Sequence, residues 1–299
     1  MSEQLARVIA DHAPHEGITA TLLDGFFLYR SDQVVGRNRF CYEPTICVVA
    51  QSRKRVYTGD RYYDYDPNNY LINAVAMPVE GEVPEATADE PYLGLSLRID
   101  SYIVSELIVE MDRHSLLQRD QIPDLISACP LTERLTDAFT RLIRTCQDPM
   151  DSDVLAAAVK REIFYEVLKG PRGEMLRNSI AQHSGANRVA PVIHFIEENY
   201  HRPLVVEELA SVAGMSPSSL HEHFKQATSM SPLQFMKSLR LHKARTLLLN
   251  GSQAAEACWK VGYGSPSQFS REFKRFFGES PRDVQVMVRA AIHEGSAAH

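Results

Sequence analysis

A ten-residue pattern occurs twice in this 299-residue chain, forty-nine positions apart. Ser216-Pro217-Ser218-Ser219-Leu220-His221-Glu222-His223-Phe224-Lys225 is matched by Ser265-Pro266-Ser267-Gln268-Phe269-Ser270-Arg271-Glu272-Phe273-Lys274. The same offset joins Ser231-Pro232 to Ser280-Pro281. Upstream an offset of forty-eight joins Glu208 to Glu256, Ala210 to Cys258 and Gly214 to Gly262. One supersecondary unit built twice constrains the architecture more than any composition does.

Each copy carries the punctuation of a helix-turn-helix. Glu207 to Ala213 has apolar positions at helical spacing and acidic residues in the first turn, where the helix dipole favours them. Gly214 stands where a left-handed residue would end that helix. Ser216 stands at an N-cap with Pro217 in the first helical position. Leu220 and Phe224, four apart, form the inward face and leave Ser218, His221, Glu222 and Lys225 outward. In the second copy Gly262 ends a helix, Ser265 caps, Pro266 begins and Phe269 and Phe273 are the inward pair. Ser267, Gln268, Ser270, Arg271 and Lys274 remain outward or flanking. A short Gly-containing turn before an exposed, polar second helix is the DNA-binding form of this motif. A pair of ordinary helical hairpins serving a protein interface is the competing reading.

Between the copies, Pro232 opens a stretch to Leu249 with Leu233, Met236, Leu239, Ala244, Leu247 and Leu248 at helical intervals. Such a helix spans roughly 27 Å at 1.5 Å per residue. Two recognition helices held near ~34 Å apart would enter successive major grooves on one face of DNA.

Residues from about 190 to 290 resemble the DNA-binding domain of the AraC/XylS family of bacterial transcription regulators. The resemblance is carried by Glu208-Leu209-Ala210, Gly214-Met215-Ser216, Ser231-Pro232, Arg240-Leu241 and Ala244-Arg245. It is strongest from Val261-Gly262-Tyr263 through Phe269-Ser270-Arg271, Phe273-Lys274 and Phe277-Gly278 to Ser280-Pro281. Two positions depart from the family pattern: Glu222 stands where a basic residue is frequent, and Ala257-Cys258 replaces Ile-Ala. The first half is similar to the N-terminal domain of one AraC-type subfamily in Tyr42-Glu43-Pro44, Gln51-Ser52-Arg53-Lys54, Gly59-Asp60 and Pro91 to Leu95. That similarity implies a cupin-like β-barrel used as a sensor, followed by helices that dimerise.

Length fits two domains at about 150 residues each, and the hydrophobic content of 44% suffices for two cores. Residues 188–299 hold 13 Lys+Arg against 10 Asp+Glu, and residues 1–187 hold 19 against 28. A mildly basic half beside an acidic one fits phosphate contact by one domain only. No run of eighteen apolar residues occurs, and Met1-Ser2-Glu3-Gln4 lacks the shape of a signal peptide, so a cytoplasmic, nucleoid-associated location is expected. Cys41, Cys47, Cys129, Cys146 and Cys258 include no C-x-x-C pair, and free, mostly buried thiols are expected; a Cys41–Cys47 redox pair is the alternative.

The first half reads as short strands: 18–23, 26–29, 45–50, a hairpin of 53–57 and 61–65 around Gly59-Asp60, 70–75 and 92–99. Helical periodicity follows over 102–111, 131–146 and 154–168. The fold class is therefore α+β. A sensory and dimerising domain spans 1–180 (barrel about 17–100, helices about 101–168), and a linker spans 169–188. An all-α domain over 189–290 has motifs at about 206–227 and 254–277 joined by a long helix.

Cupin barrels can be metal-dependent oxygenases, which need His-rich triads on adjacent strands. Residues 16–113 contain no histidine, and His12 and His15 read as surface residues. His221 and His223 point about 200° apart on a helix and cannot grip one ion. No enzyme, metal or cofactor is expected. Arg53-Lys54-Arg55 fits either an anionic effector or a solvated edge strand. Tyr57, Tyr62, Tyr63, Tyr65 and Tyr70 alternate as a pocket lining would. Leu131, Leu135, Ala138, Phe139, Leu142 and Ile143 form a stripe suited to a dimer interface or to packing on the barrel. Trp259 reads as a core residue.

The expected function is an effector-responsive activator or repressor binding double-stranded promoter or operator DNA. A homodimer, RNA polymerase and an unidentified small-molecule effector are its implied partners, and no membrane. Arg271 is the expected base reader, by a bidentate fork to guanine, with Ser267, Gln268 and Ser270 beside it. Ser218, His221 and Glu222 face the groove in copy one, and Lys225 and Lys274 contact phosphates. Copy two anchors specificity and copy one tunes it. A sensor acting through protein contacts and an effector-independent regulator are the alternatives.

Overall fold

The computed structural model describes residues 2–112, 125–180 and 189–286. An N-terminal helix α1 (Ser2–His12) precedes strands β1 (Gly17–Ala20), β2 (Phe26–Ser31), β3 (Val35–Tyr42), β4 (Thr45–Gln51), β5 (Arg53–Thr58), β6 (Arg61–Tyr65), β7 (Asn69–Asn73), β8 (Met77–Glu85) and β9 (Tyr92–Arg98). Helix α2 (Ser101–Asp112), strand β10 (Ile126–Pro130) and helices α3 (Glu133–Thr145), α4 (Pro149–Lys169) and α5 (Gly173–Ile180) complete the first half.

The strands form two antiparallel sheets, ordered β1-β2-β9-β4-β7-β10 and β3-β8-β5-β6. They face one another as an open barrel, with no hydrogen-bonded ladder between them among the described residues. β4 is central and buried on both faces, which is why it reads as a continuous apolar run rather than an alternating one. Ile46 and Val48 point to an outer layer where Leu5 and Ile9 of α1, Phe139 and Leu142 of α3, and Phe164 and Val167 of α4 cover the sheet. Cys47 and Val49 point to the space between the sheets.

β3, β8 and β10 are absent from the strands expected from the sequence. β8 carries Pro78, Gly81 and Pro84, residues that argue against a central strand. Register irregularities in β3 (between Val35 and Asn38) and in β5 (between Arg53 and Arg55) accommodate it. The stretch read as a linker contains α5, because Met175 and Leu176 are buried in the core of the first half; positions 181–188 lie outside the described residues. The stripe of α3 packs inside this domain against α1 and α4, so Leu135, Ala138, Phe139, Leu142 and Ile143 are buried without a second chain.

The second half is all helical: α6 (Val189–Asn199), α7 (Val206–Ala213), α8 (Pro217–Thr228), α9 (Pro232–Leu249), α10 (Ala254–Lys260) and α11 (Pro266–Phe277). α9 belongs to two cores. Phe235, Met236 and Leu239 pack with Leu209, Leu220 and Phe224. Leu241, Ala244 and Leu248 pack with Cys258, Phe269 and Phe273. The first of these cores is continuous with the space between the two sheets, whereas the second is separate.

Candidate nucleic-acid interface

The two reading helices are built by the same local rules. The Ser216 hydroxyl accepts from the Ser219 amide ahead of Pro217, and the Ser265 hydroxyl accepts from the Gln268 amide ahead of Pro266. Gly214 closes α7 in the left-handed conformation at φ +60°. Gly262 takes φ +84° after α10, with the His201 carbonyl only 2.4 Å from where a Cβ would sit, so glycine is required there twice over. Leu220, Phe224, Phe269 and Phe273 are buried. A helix so anchored can present only its opposite face.

All nine expected contact residues lie on those opposite faces and are exposed: Ser218, His221, Glu222 and Lys225 on α8, and Ser267, Gln268, Ser270, Arg271 and Lys274 on α11. Positions 218, 221, 222 and 225 follow the i, i+3, i+4, i+7 stripe of a single helix face, and 267, 270, 271 and 274 repeat it. The two stripes correspond residue by residue under the forty-nine-residue offset, with Glu222 opposite Arg271. Arg271, Lys225 and Lys274 make no ion pair with any described residue. Several other cations of this half are engaged, among them Arg202 with Glu208 (2.6 Å), Lys237 with Glu272 (2.8 Å) and Lys260 with Glu256 (2.7 Å).

The second head has a brace that the sequence reading missed. Glu272 accepts from the Tyr263 hydroxyl (2.9 Å), the Lys237 ammonium (2.8 Å) and the Gln268 amide (3.3 Å). Partial burial pushes its carboxyl pKa up, but these donors outweigh it and hold Glu272 below the usual carboxylate value. Gln268 is thereby fixed by its neighbour, and α11 is tied to α9 through Lys237. The matching position in α8 is His223, whose Nδ1 meets the Ser219 carbonyl at 2.8 Å within its own helix. Only Tyr263, in the Val-Gly-Tyr signature, hinted at the brace. Arg240 pins the start of the bundle to α9, donating to the Tyr200 (2.6 Å) and Arg202 (2.8 Å) carbonyls.

Trp259 is not a core residue; it is 57% exposed. The short α10 buries Ala257 and Cys258, and the next position turns to solvent. The forty-eight-residue offset carries that signal, since Trp259 corresponds to Ser211, also exposed.

A cavity of about 360 Å³ lies between the sheets, walled by Tyr29, Phe40, Val83 and Tyr92. β5 is an inner strand, not the solvated edge expected as one alternative. Its alternation sends Arg53 and Arg55 outward to Glu85 and Asp64 and Lys54 inward. The Lys54 ammonium lies 5.2 Å from the centroid of Phe40, 5.7 Å from Tyr42 and 5.9 Å from Tyr29, without an ion-pair partner among the described residues. Burial lowers its pKa. Of the alternating tyrosines, Tyr65 and Tyr70 are core residues and Tyr62 is exposed, so the rings lining the cavity come from other strands. All five cysteines are free thiols. No cluster of potential metal ligands occurs among the described residues, nor any helix long and apolar enough to cross a membrane.

Residues 22–175 match the family described as AraC-type transcriptional regulator N-terminus, and residues 209–286 match a helix-turn-helix domain family. The chain is 26% identical over 176 residues to the HTH-type transcriptional activator RhaS of Citrobacter koseri, covering 58% of this chain and 62% of that protein. It is 30% identical over 148 residues to RhaS of Salmonella schwarzengrund, covering 48% and 51%. The chain thus spans about half to three-fifths of the length of these relatives. Its fold is similar to that of ToxT from Vibrio cholerae, with a TM-score of 0.60 at 10% identity over 88% of this chain and 97% of that one. An AraC-type N-terminal match across more than half of the chain, followed by the doubled helix-turn-helix, places this protein in the AraC/XylS family of transcriptional regulators.

Proposed function

We propose that this protein is a sequence-specific DNA-binding transcription regulator whose second head anchors specificity and whose first head tunes it. The observation that carries this reading is the pair of superimposable exposed stripes, with an unpaired Arg271 in one and Glu222 in the other. Guanidinium forks read guanine edges, whereas a carboxylate repels the backbone and accepts only from a base amino group. Lys225 and Lys274, at the ends of the stripes, are the phosphate contacts. A mobility-shift titration against the chain's own promoter region tests the reading, and competition by random DNA at equal strength would defeat it. Lys274→Ala should weaken all sequences alike and reduce the salt slope of binding by about one. A loss confined to one sequence would move Lys274 to the base readers.

Effector control is the second part of the reading, and Lys54 carries it. An ammonium enclosed by aromatic walls lacks the anion that would offset its desolvation. The cavity fits a ligand with an anionic head and an apolar body. A ToxT structure is described as unsaturated fatty acid bound, which supports this ligand class for the fold. Decanoate should raise the unfolding temperature more than decanol does, because only the carboxylate can pair with Lys54. Lys54→Met should erase that difference. Equal shifts by the two probes in the unsubstituted protein would remove Lys54 from the effector site.

A further inference from the structure

A second cleft, of about 410 Å³, lies on the outside of the smaller sheet, between β3 and the C-terminal end of α11. Alternation along β3 separates it from the inner cavity: Phe40 faces inward, while Arg37 and Arg39 face the helical domain. Arg245 of α9 and Arg275 of α11 approach from the other side, and Glu80 is the carboxylate of the lining. Residues more than two hundred positions apart in sequence thus place four guanidinium groups around one space.

We propose that this cleft is an anion site that takes a phosphate-bearing small molecule through guanidinium groups of both domains. Three observations support a built site rather than an ordinary ion-pair network. First, the carboxylates are outnumbered. Glu80 is shared by Arg37 and Arg39, Glu279 pairs with Arg245 at 3.0 Å, and Arg275 makes no ion pair with a described residue. Second, donors are left over: Arg245 Nε is buried and has no acceptor, a costly state for a charged group. Third, the forks are held in place by rings. Arg37 lies 3.8 Å over Tyr57, Arg39 lies 4.7 Å over Phe276, and Arg245 lies 5.0 Å over Phe277. Stacking fixes a guanidinium plane while leaving its N–H edge free.

The chemistry selects among anions. A carboxylate brings one charge and two acceptor oxygens. A phosphate monoester brings about −1.5 to −2 charges and three acceptor oxygens, which matches a cluster with several unused N–H groups and excess positive charge. His242 does not compete for this role. Its ring lies against Phe276 and Phe277, and burial first, then Arg245 and Arg39, hold it neutral with its pKa lowered to about 3. Arg39 also donates to the Phe276 carbonyl at the end of α11, so an anion seated here ties the sheet domain to the second reading head. The site adjoins the C-terminal end of the DNA face, because Arg275 lies one helical turn beyond Arg271 on α11, and the variants below separate the two.

The test is titration calorimetry on the full chain with inorganic phosphate, and separately with glucose 6-phosphate, against sodium chloride at equal ionic strength. Saturable binding of either phosphate is expected, and the stronger of the two identifies free phosphate or a phosphorylated metabolite as the ligand. Arg275→Gln, an exposed substitution that disturbs no packing, and Arg245→Gln should each weaken binding about tenfold, the loss of one charge-assisted hydrogen bond. The double variant Arg271→Ala/Lys274→Ala should bind phosphate as before. Phosphate acting no differently from chloride would overturn the proposal. So would binding that is lost in the double variant but retained in Arg275→Gln, since it would assign the phosphate to the DNA face.

Discussion

Replacing Phe273 by alanine is expected to cost about 3–5 kcal/mol, the usual penalty for emptying a buried aromatic site. Phe273 is fully buried, with its ring 5.5 Å from Phe269 and 4.7 Å from Phe277. The core it belongs to is separate from the one shared by the sheets and the first helix-turn-helix. The damage should therefore be local. Amides of α10 and α11 should lose hydrogen-exchange protection, while those of α8 and the central strand β4 keep theirs, and thermal unfolding should split into two steps. DNA affinity should fall toward the non-specific level, because the head proposed to anchor specificity is lost. Uniform loss of protection across both halves would show that α9 couples the two cores into one cooperative unit, contrary to this expectation.

Arg271→Ala should reduce affinity for the specific site by about 1–3 kcal/mol, roughly five- to 150-fold, and relax the preference at one base position. The side chain is exposed and unpaired, so its removal leaves no partner unsatisfied and the stability of α11 should not change. Glu222→Ala, at the same place in the other stripe, should leave affinity unchanged or raise it slightly by removing a negative charge near phosphates. Binding to a randomised operator library reads both effects. An Arg271→Ala protein with unaltered affinity and unaltered base preference would refute the unequal-heads reading.

The helical half was legible because its signals are local. Ser-Pro at the start of α8, α9 and α11, the left-handed glycines, and the inward pairs four apart fix each helix from its own residues. α9 runs from Pro232 to Leu249, as its apolar spacing predicts. The strands were half legible. β4 and β9 announce themselves as apolar runs, but β3 is polar outside and β8 is broken by two prolines, and each is a strand only because its neighbours pair with it. Trp259 and positions 173–180, which form α5, depart from their sequence reading for the same reason. Hydrophobicity says that a residue can be buried, and only packing says whether it is.

The sequence by itself determined a doubled helix-turn-helix, the faces its recognition helices present, and the contrast between Arg271 and Glu222, since caps, turns and helical periodicity act over a few residues. The tertiary structure alone decided that Lys54 points into an aromatic cavity, that Lys237 of α9 reaches Glu272 of α11, and that Arg37 and Arg39 meet Arg245 and Arg275 in one cleft. Those juxtapositions depend on sheet order and on how one domain lies against the other, and no local period along the chain encodes contacts between residues so far apart.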